Sequence, residues 1–95
     1  MNEASLTALK NIGPKTASWL TQVGVDDRDA LVALGPVDAY LLLTAAGYAT
    51  SPVLLYAIYG ALHGMDWRAV PNEVKADMRR RAGLPPPQPN DRELF

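Results

Sequence analysis

The sequence contains no cysteine and a single histidine, His63. The absence of cysteine excludes a disulfide framework and any thiolate zinc site, and one histidine is too few for a His-based metal site. No Ser, Cys or carboxylate constellation accompanies His63, so a catalytic base is not predicted there. We therefore expect a protein with no catalytic residues, no metal and no other cofactor.

Charged side chains are missing from residues 40–65, which contain no Asp, Glu, Lys or Arg. The polar and helix-breaking residues between Gly47 and Pro52 divide this stretch into two runs, each shorter than the roughly 20 residues that span a bilayer. Buried helices of a small bundle are therefore favoured over a membrane hairpin. The amino terminus also lacks the basic-then-apolar order of a secretory signal, which predicts a cytoplasmic protein.

The chain has 95 residues, of which 48% are hydrophobic and 20% charged, as in one ordinary globular domain. A chain of this size buries only about 60–65% of its unfolded surface, so it has little apolar material for a deep catalytic cleft. Function by surface contact is favoured, and the formal charge of −1 gives no long-range attraction to a polyanion. We predict one domain over residues 1–83 and a proline-rich tail over residues 84–95.

Capping residues, prolines and glycines predict where the helices begin and end. Ser5 is the predicted cap of a short first helix, and Asp26 with Asp29 resembles an acidic capping pair for the third. Gly60, in the middle of the fifth, predicts the close approach of another helix. No strand pattern competes, so the fold class is all-α with five or six helices. After the first, these helices cover about 14–23, 27–34, 36–46, 52–63 and 71–82.

An internal repeat appears when Gly13-Pro14 is set on Gly35-Pro36. Each copy has the pattern of two short helices joined by a tight glycine bend, with a small alanine one turn into the second helix, where close packing limits side-chain size. The repeat predicts tandem helix-hairpin-helix-like units. The other superposed pairs are Leu9 with Leu31, Ile12 with Leu34, Ala17 with Ala39, and Leu20 with Leu42.

The segment Leu9–Ala17, LKNIGPKTA, resembles a helix-hairpin-helix motif, which is known chiefly from sequence-independent DNA-binding proteins. The resemblance implies that Gly13, Lys15 and Thr16 contact a DNA phosphate, and helix N-termini do offer unpaired N–H groups to anions. The alternative is that Gly13 only permits a tight turn between packed helices. The second copy carries Asp38 where Thr16 stands in the first, so it is predicted to be structural.

Further cations are candidates for steering a nucleic acid: Lys10 before the bend, and Arg79, Arg80 and Arg81 near the end of the last helix. The alternative for the three arginines is a solvated cluster that complements the helix dipole.

Lys15 also lies four residues before Trp19, which predicts either a cation beside an aromatic platform or a Trp19 that flanks the core.

A longer resemblance covers about residues 5–80. The segments 9–25, 33–40 and 54–64, followed by Trp67, are similar to the C-terminal domain of the TfoX/Sxy competence regulators. The resemblance implies an all-α fold and a link to the regulation of DNA-uptake genes, with DNA or a transcription factor as partner. Members of that family typically carry an additional α/β domain before this one, so a separate TfoX N-terminal domain is another expected partner.

Our leading prediction is a non-enzymatic binding module in competence-type transcription regulation, which acts through a protein partner, weak contact with duplex DNA, or both. An alternative is a fragment of a helix-hairpin-helix DNA repair enzyme, although Asp26 and Asp27 follow the hairpin too soon for the catalytic aspartate of that group, and read as helix caps. A third possibility is a structural dimerisation domain that uses the uncharged fifth predicted helix. The sequence leaves the oligomeric state open.

Overall fold

The computed structural model describes residues 6–85, and in that range every regular element is helical. This confirms the predicted all-α class. The predicted cap Ser5 and the tail beyond Pro85 lie outside the described residues. The elements are a 3-10 turn at Leu6–Ala8, α1 (Pro14–Gln22), α2 (Arg28–Leu34), α3 (Pro36–Ala45), α4 (Pro52–His63), a second 3-10 turn at Trp67–Ala69, and α5 (Asn72–Arg81).

Proline and glycine set the helix ends, as the sequence predicts. The helices α1, α3 and α4 each begin with proline, whose missing N–H would have no helical partner at that position. Gly64, with φ 69° and ψ 30°, ends α4 in the left-handed conformation that favours glycine. The local signals therefore give the helix bounds to within one or two residues.

The cap of α2 differs from the prediction by one residue. Asp27, not Asp26, is the N-cap, and its Oδ1 accepts a hydrogen bond from the N–H of Ala30 at 2.9 Å. The helix begins at Arg28, so only the carboxylate at position 27 has the three-residue spacing that reaches an unpaired N–H of the first turn. Asp29 lies in that first turn and complements the helix dipole.

Replacing Asp27 with alanine is expected to lower the free energy of unfolding by about 1 kcal/mol, because the cap hydrogen bond is lost. The exposed Asp26 is the matched control, and Asp26→Ala is expected to change stability by less than about 0.5 kcal/mol. Urea unfolding of both variants measures the difference. Equal losses for the two variants would contradict the assignment of the cap.

The helix α4 lies between two apolar clusters. Ile58, fully buried, belongs to the cluster that α1, α2 and α3 complete with Leu20, Leu31 and Leu43. Leu55, also fully buried, belongs to a second cluster with Tyr40, Tyr56, Val70 and Met78. Leu54 packs against both clusters. The middle of the uncharged α4 is thus buried between the two clusters, whereas Val53 and His63 near its ends are exposed.

The two copies of the repeat share their helix starts but not their backbone or their buried faces. Gly13 has φ −90° and ψ 179°, whereas Gly35 has φ 89° and ψ 161°. Leu20 is fully buried, but Leu42, on which it superposes, is 39% exposed, and the next residue, Leu43, is fully buried. The buried leucine of α3 thus lies one residue later than the repeat alignment gives. The repeat in the sequence therefore does not extend to the burial of Leu20 and Leu42.

Gly60 marks a close approach, but not of another helix. A Cβ at position 60 would lie closer than 3.0 Å to both the carbonyl oxygen of Met65 and Nδ2 of Asn11. That same amide of Asn11 donates to the carbonyls of Met65, at 2.9 Å, and Ala57, at 3.3 Å. The prediction of a neighbouring helix is wrong because the space is taken by the turn after α4 and by one side chain from the bend before α1.

Candidate nucleic-acid and partner-binding surfaces

The bend before α1 is hydrogen-bonded to α4 through one residue and exposed to solvent at another. Asn11 adopts a left-handed conformation, with φ 71°, and its side chain ties the bend to α4. Ile12 is buried in the core, whereas Gly13 is exposed and no atom lies within 4 Å of where its Cβ would stand. The N-terminus of α1 is therefore exposed to solvent, and the turn before it is hydrogen-bonded to α4.

Lys15 is held beside this helix N-terminus by an aromatic pair. Its Nζ lies 5.2 Å from the centre of the Trp19 ring, a cation–π distance. Trp19 in turn stacks on Tyr48, with the ring centres 4.8 Å apart, and both rings pack against the core. Trp19 therefore flanks the core and also contacts the ammonium group of Lys15. Thr16 is half-buried, and the first turn of α1 contains no acidic residue.

Lys10 is exposed and lies within electrostatic reach of Asp66. Hydrogen bonds from the side chain and backbone of Arg68 hold the pKa of the Asp66 carboxyl below its ordinary value of 3.8, and Lys10 adds a smaller attraction. A lowered carboxyl pKa stabilises the folded state at pH values above the ordinary pKa of the group. That stabilisation is lost as the pH falls through the lowered pKa. Because Asp66 and Arg68 are exposed, the contribution is small.

The three arginines of α5 are engaged within the protein. Arg79 donates from Nε to the carbonyl of Pro85 at 2.7 Å and from Nη1 to the hydroxyl of Tyr56 at 3.1 Å. Arg80 and Arg81 both pair with Asp77, the latter at 3.5 Å. The pairs with Asp77 are exposed and therefore weak, but they offset part of the positive charge. All three arginines thus have a partner within the protein, and their contact with DNA stays a prediction.

The predicted nucleic-acid-binding residues fall on two parts of the fold. The helix α1, with Lys15, packs against α3 and the first 3-10 turn, whereas α5, with the arginines, packs against α4. Gly13, Lys15 and Thr16 are brought together at one helix start, as expected from their adjacency. Arg79, Arg80 and Arg81 belong to a different helix pair.

A groove that the sequence does not predict runs between the start of α3, the end of α4, and α5. It consists of two adjoining depressions of about 260 and 400 Å³, open to solvent. We call it the α3–α5 groove. The first depression is lined by Leu34, Gly35, Pro36, Val37, Asp38, Leu41 and Arg81. The second is lined by Pro36, Val37, Tyr59, His63, Glu73, Val74, Asp77, Met78 and Arg81.

One sequence signal points to part of this groove. Tyr59 and His63 are four residues apart on α4, and their rings stack with centres 4.1 Å apart. The spacing predicts the pair, but the assembly of three helices around it requires the tertiary structure. His63, predicted as a helix-end residue, is indeed the last residue of α4.

Large apolar side chains also stand exposed outside the core. Leu41 and Leu42 on α3 are 38% and 39% exposed, and Val32 and Val53 are exposed on α2 and α4.

Within residues 6–85, no group of three or more His, Asp or Glu side chains is placed to hold a metal ion. Over the same residues, every helix is too short or too polar to cross a membrane.

Comparison with known proteins matches residues 2–82 to the TfoX C-terminal domain family. No curated protein matches the chain significantly. Among solved structures, the crystal structure of an uncharacterized protein from Listeria monocytogenes, in a triclinic form, is similar with a TM-score of 0.75. The identity is 24%, over 83% of this chain and 94% of the other. At that identity the likeness shows the fold alone.

Proposed function

Because the chain belongs to the TfoX C-terminal domain family, we propose that it is a non-enzymatic binding module that acts mainly by contacting a protein. The process that the family suggests is the regulation of DNA-uptake genes, as in bacterial competence. The partner is then a transcription factor or a TfoX N-terminal domain. Weak contact with duplex DNA is the second mode.

The ranking of protein contact above DNA contact rests on one observation. The arginines of α5 have hydrogen-bond or ion-pair partners within the protein. Affinity for duplex DNA comes chiefly from lysines and arginines that neutralise phosphates. Arg79 donates hydrogen bonds to uncharged groups of Tyr56 and Pro85 and keeps its charge, whereas the single carboxylate of Asp77 offsets one of the two charges of Arg80 and Arg81. With a formal charge of −1, the whole chain has no net positive charge to attract a polyanion. Protein contact is the mode that this charge distribution supports.

The test is capture of partners on the immobilised chain from native lysate, with and without nuclease treatment. We expect the same protein to be retained under both conditions, and to bind the chain again when purified free of nucleic acid. Loss of all retained protein after nuclease treatment would mean that DNA or RNA tethered it, and would overturn protein contact as the main mode.

A second candidate function is phosphate contact at the first bend, and a specific observation favours it. Gly13 is open to solvent at the start of a nine-residue helix, and Lys15 is held beside it. Helix N-termini attract anions through their unpaired N–H groups and dipole. The second bend differs, because Asp38 lies in the first turn of α3 and would repel a phosphate.

We predict that Lys15→Glu weakens binding of duplex DNA at low salt by about fivefold or more, because a cation beside the phosphate becomes an anion. Fluorescence anisotropy with a labelled duplex of mixed sequence measures the change. Arg28→Glu is the matched control, since it makes the same charge change at an exposed position on α2. Equal losses for the two variants, or none for Lys15→Glu, would remove the phosphate contact.

A further inference from the structure

We infer that the α3–α5 groove binds a basic amphipathic segment of the protein partner. This inference rests on the proposed function, because it names the surface and the chemistry of the segment that this module recognises. It concerns a region separate from the first bend, where the DNA contact would occur. Three features of the groove carry it: an apolar floor, an aromatic wall and a negatively charged rim.

Apolar side chains line both depressions, and we call them the floor of the groove. Val37 lines both depressions, Val74 and Met78 line the larger one, and Leu34 and Leu41 line the smaller one. Leu41 is 38% exposed, so the apolar surface continues onto the outer face of α3. An amphipathic helix binds such a groove by inserting apolar residues that are three or four positions apart.

The wall of the larger depression is the stacked pair of Tyr59 and His63. Tyr59 is half-buried and His63 is exposed, so part of the pair faces the groove. Aromatic faces attract ammonium and guanidinium groups through the ring quadrupole. The wall therefore suits a lysine or arginine that lies along it while its apolar neighbours contact the floor.

The rim carries uncompensated negative charge. Asp38 borders the smaller depression and Glu73 the larger one, and neither has an ion-pair partner among residues 6–85. The remaining lining charges are Asp77 and Arg81, which pair with each other, and Asp77 also pairs with Arg80 outside the groove. The lining therefore has three carboxylates and one guanidinium group. Complementary charge across an interface selects a positively charged partner and disfavours nucleic acid.

An NMR titration of the ¹⁵N-labelled chain tests the groove directly. The probe is a synthetic helical peptide of leucine and lysine, about 14 residues long, which is about four turns. A peptide with glutamate in place of every lysine is its control. We expect the lysine peptide to shift the backbone amide signals of Tyr59, Glu73 and Val74 most strongly, and the glutamate peptide to leave them unchanged. Equal effects of the two peptides, or shifts centred elsewhere, would overturn the inference.

Charge reversal on the rim gives a second measurement. We expect Glu73→Lys to weaken binding of the lysine peptide by about fivefold or more. Asp26→Lys makes the same charge change at an exposed site outside the groove and is expected to weaken binding by less than about twofold. Equal weakening would mean that only net charge matters, and the groove assignment would fall.

The outcomes also separate this inference from the proposed function. If a partner survives nuclease treatment and binds Glu73→Lys as tightly as the unaltered chain, the groove inference falls and the proposed function stands. If the lysine peptide binds as predicted but no protein is retained from lysate after nuclease treatment, the proposed function falls, and the ligand chemistry assigned to the groove stands.

Discussion

Replacing Gly60 with alanine is expected to destabilise the domain by about 3 kcal/mol, although glycine to alanine within a helix ordinarily stabilises by about 1 kcal/mol. The reversal follows from the space around the residue. The added Cβ would lie closer than 3.0 Å to the backbone carbonyl of Met65 and to the amide of Asn11. The Asn11 side chain can rotate away only by giving up its two hydrogen bonds, and the carbonyl can move only with the turn after α4.

Urea unfolding of Gly60→Ala measures this loss, and Gly13→Ala is the matched control. Gly13 has an ordinary negative φ and nothing within 4 Å of its Cβ position, so alanine there is expected to change stability by less than about 0.5 kcal/mol. A Gly60→Ala variant as stable as the unaltered domain would contradict the close approach of Asn11 and Met65 to α4.

The same residue shows where prediction from the sequence ends. A glycine in the middle of a helix indicates that something approaches closely, and this was correct. What approaches could not be predicted, because Asn11 lies 46 residues from Ala57 and 54 from Met65 along the chain. The helix bounds were predictable because prolines and glycines act within a few residues, whereas the contact of a bend with a distant turn depends on the assembled fold.

Replacing Leu43 with alanine is expected to lower the free energy of unfolding by about 3 kcal/mol, because a fully buried leucine leaves a cavity in the core. Leu42→Ala is expected to cost less than about 1 kcal/mol, since that side chain is 39% exposed and leaves no closed cavity. The two leucines are adjacent and chemically identical, so the difference measures only which face of α3 is buried.

Thermal and urea unfolding of the two variants show whether the core residue is Leu43, as in the structure, or Leu42, as the repeat alignment would give. The repeat sets Leu42 on Leu20, which is fully buried, so Leu42 would be the core residue if the packing repeated as the sequence does. A larger loss for Leu42→Ala than for Leu43→Ala would restore that interpretation. Leu41, Leu42 and Leu43 are adjacent leucines, so the sequence does not indicate which of them is buried, whereas the structure buries Leu43.

The candidate sites were predictable to different degrees. Lys15 and Trp19 are four residues apart on one helix, and their contact followed from that spacing. The pairing of Arg81 with Asp77 has the same spacing and was available from the sequence in the same way. Arg79 and Tyr56 lie on different helices and are 23 residues apart in the sequence, and the α3–α5 groove is formed by three helices. Such features require the packing of the helices, which local patterns do not contain.

The salt dependence of duplex DNA binding tests most directly the claim that the basic residues of α5 are engaged within the protein. The logarithm of the binding constant falls with the logarithm of salt concentration with a slope of about −0.9 for each phosphate neutralised. If only Lys10 and Lys15 reach phosphates, the slope is expected to be about −2 or shallower. A slope of about −4 or steeper would mean that further cations, such as Arg79, Arg80 and Arg81, also neutralise phosphates. That result would contradict protein contact as the main mode.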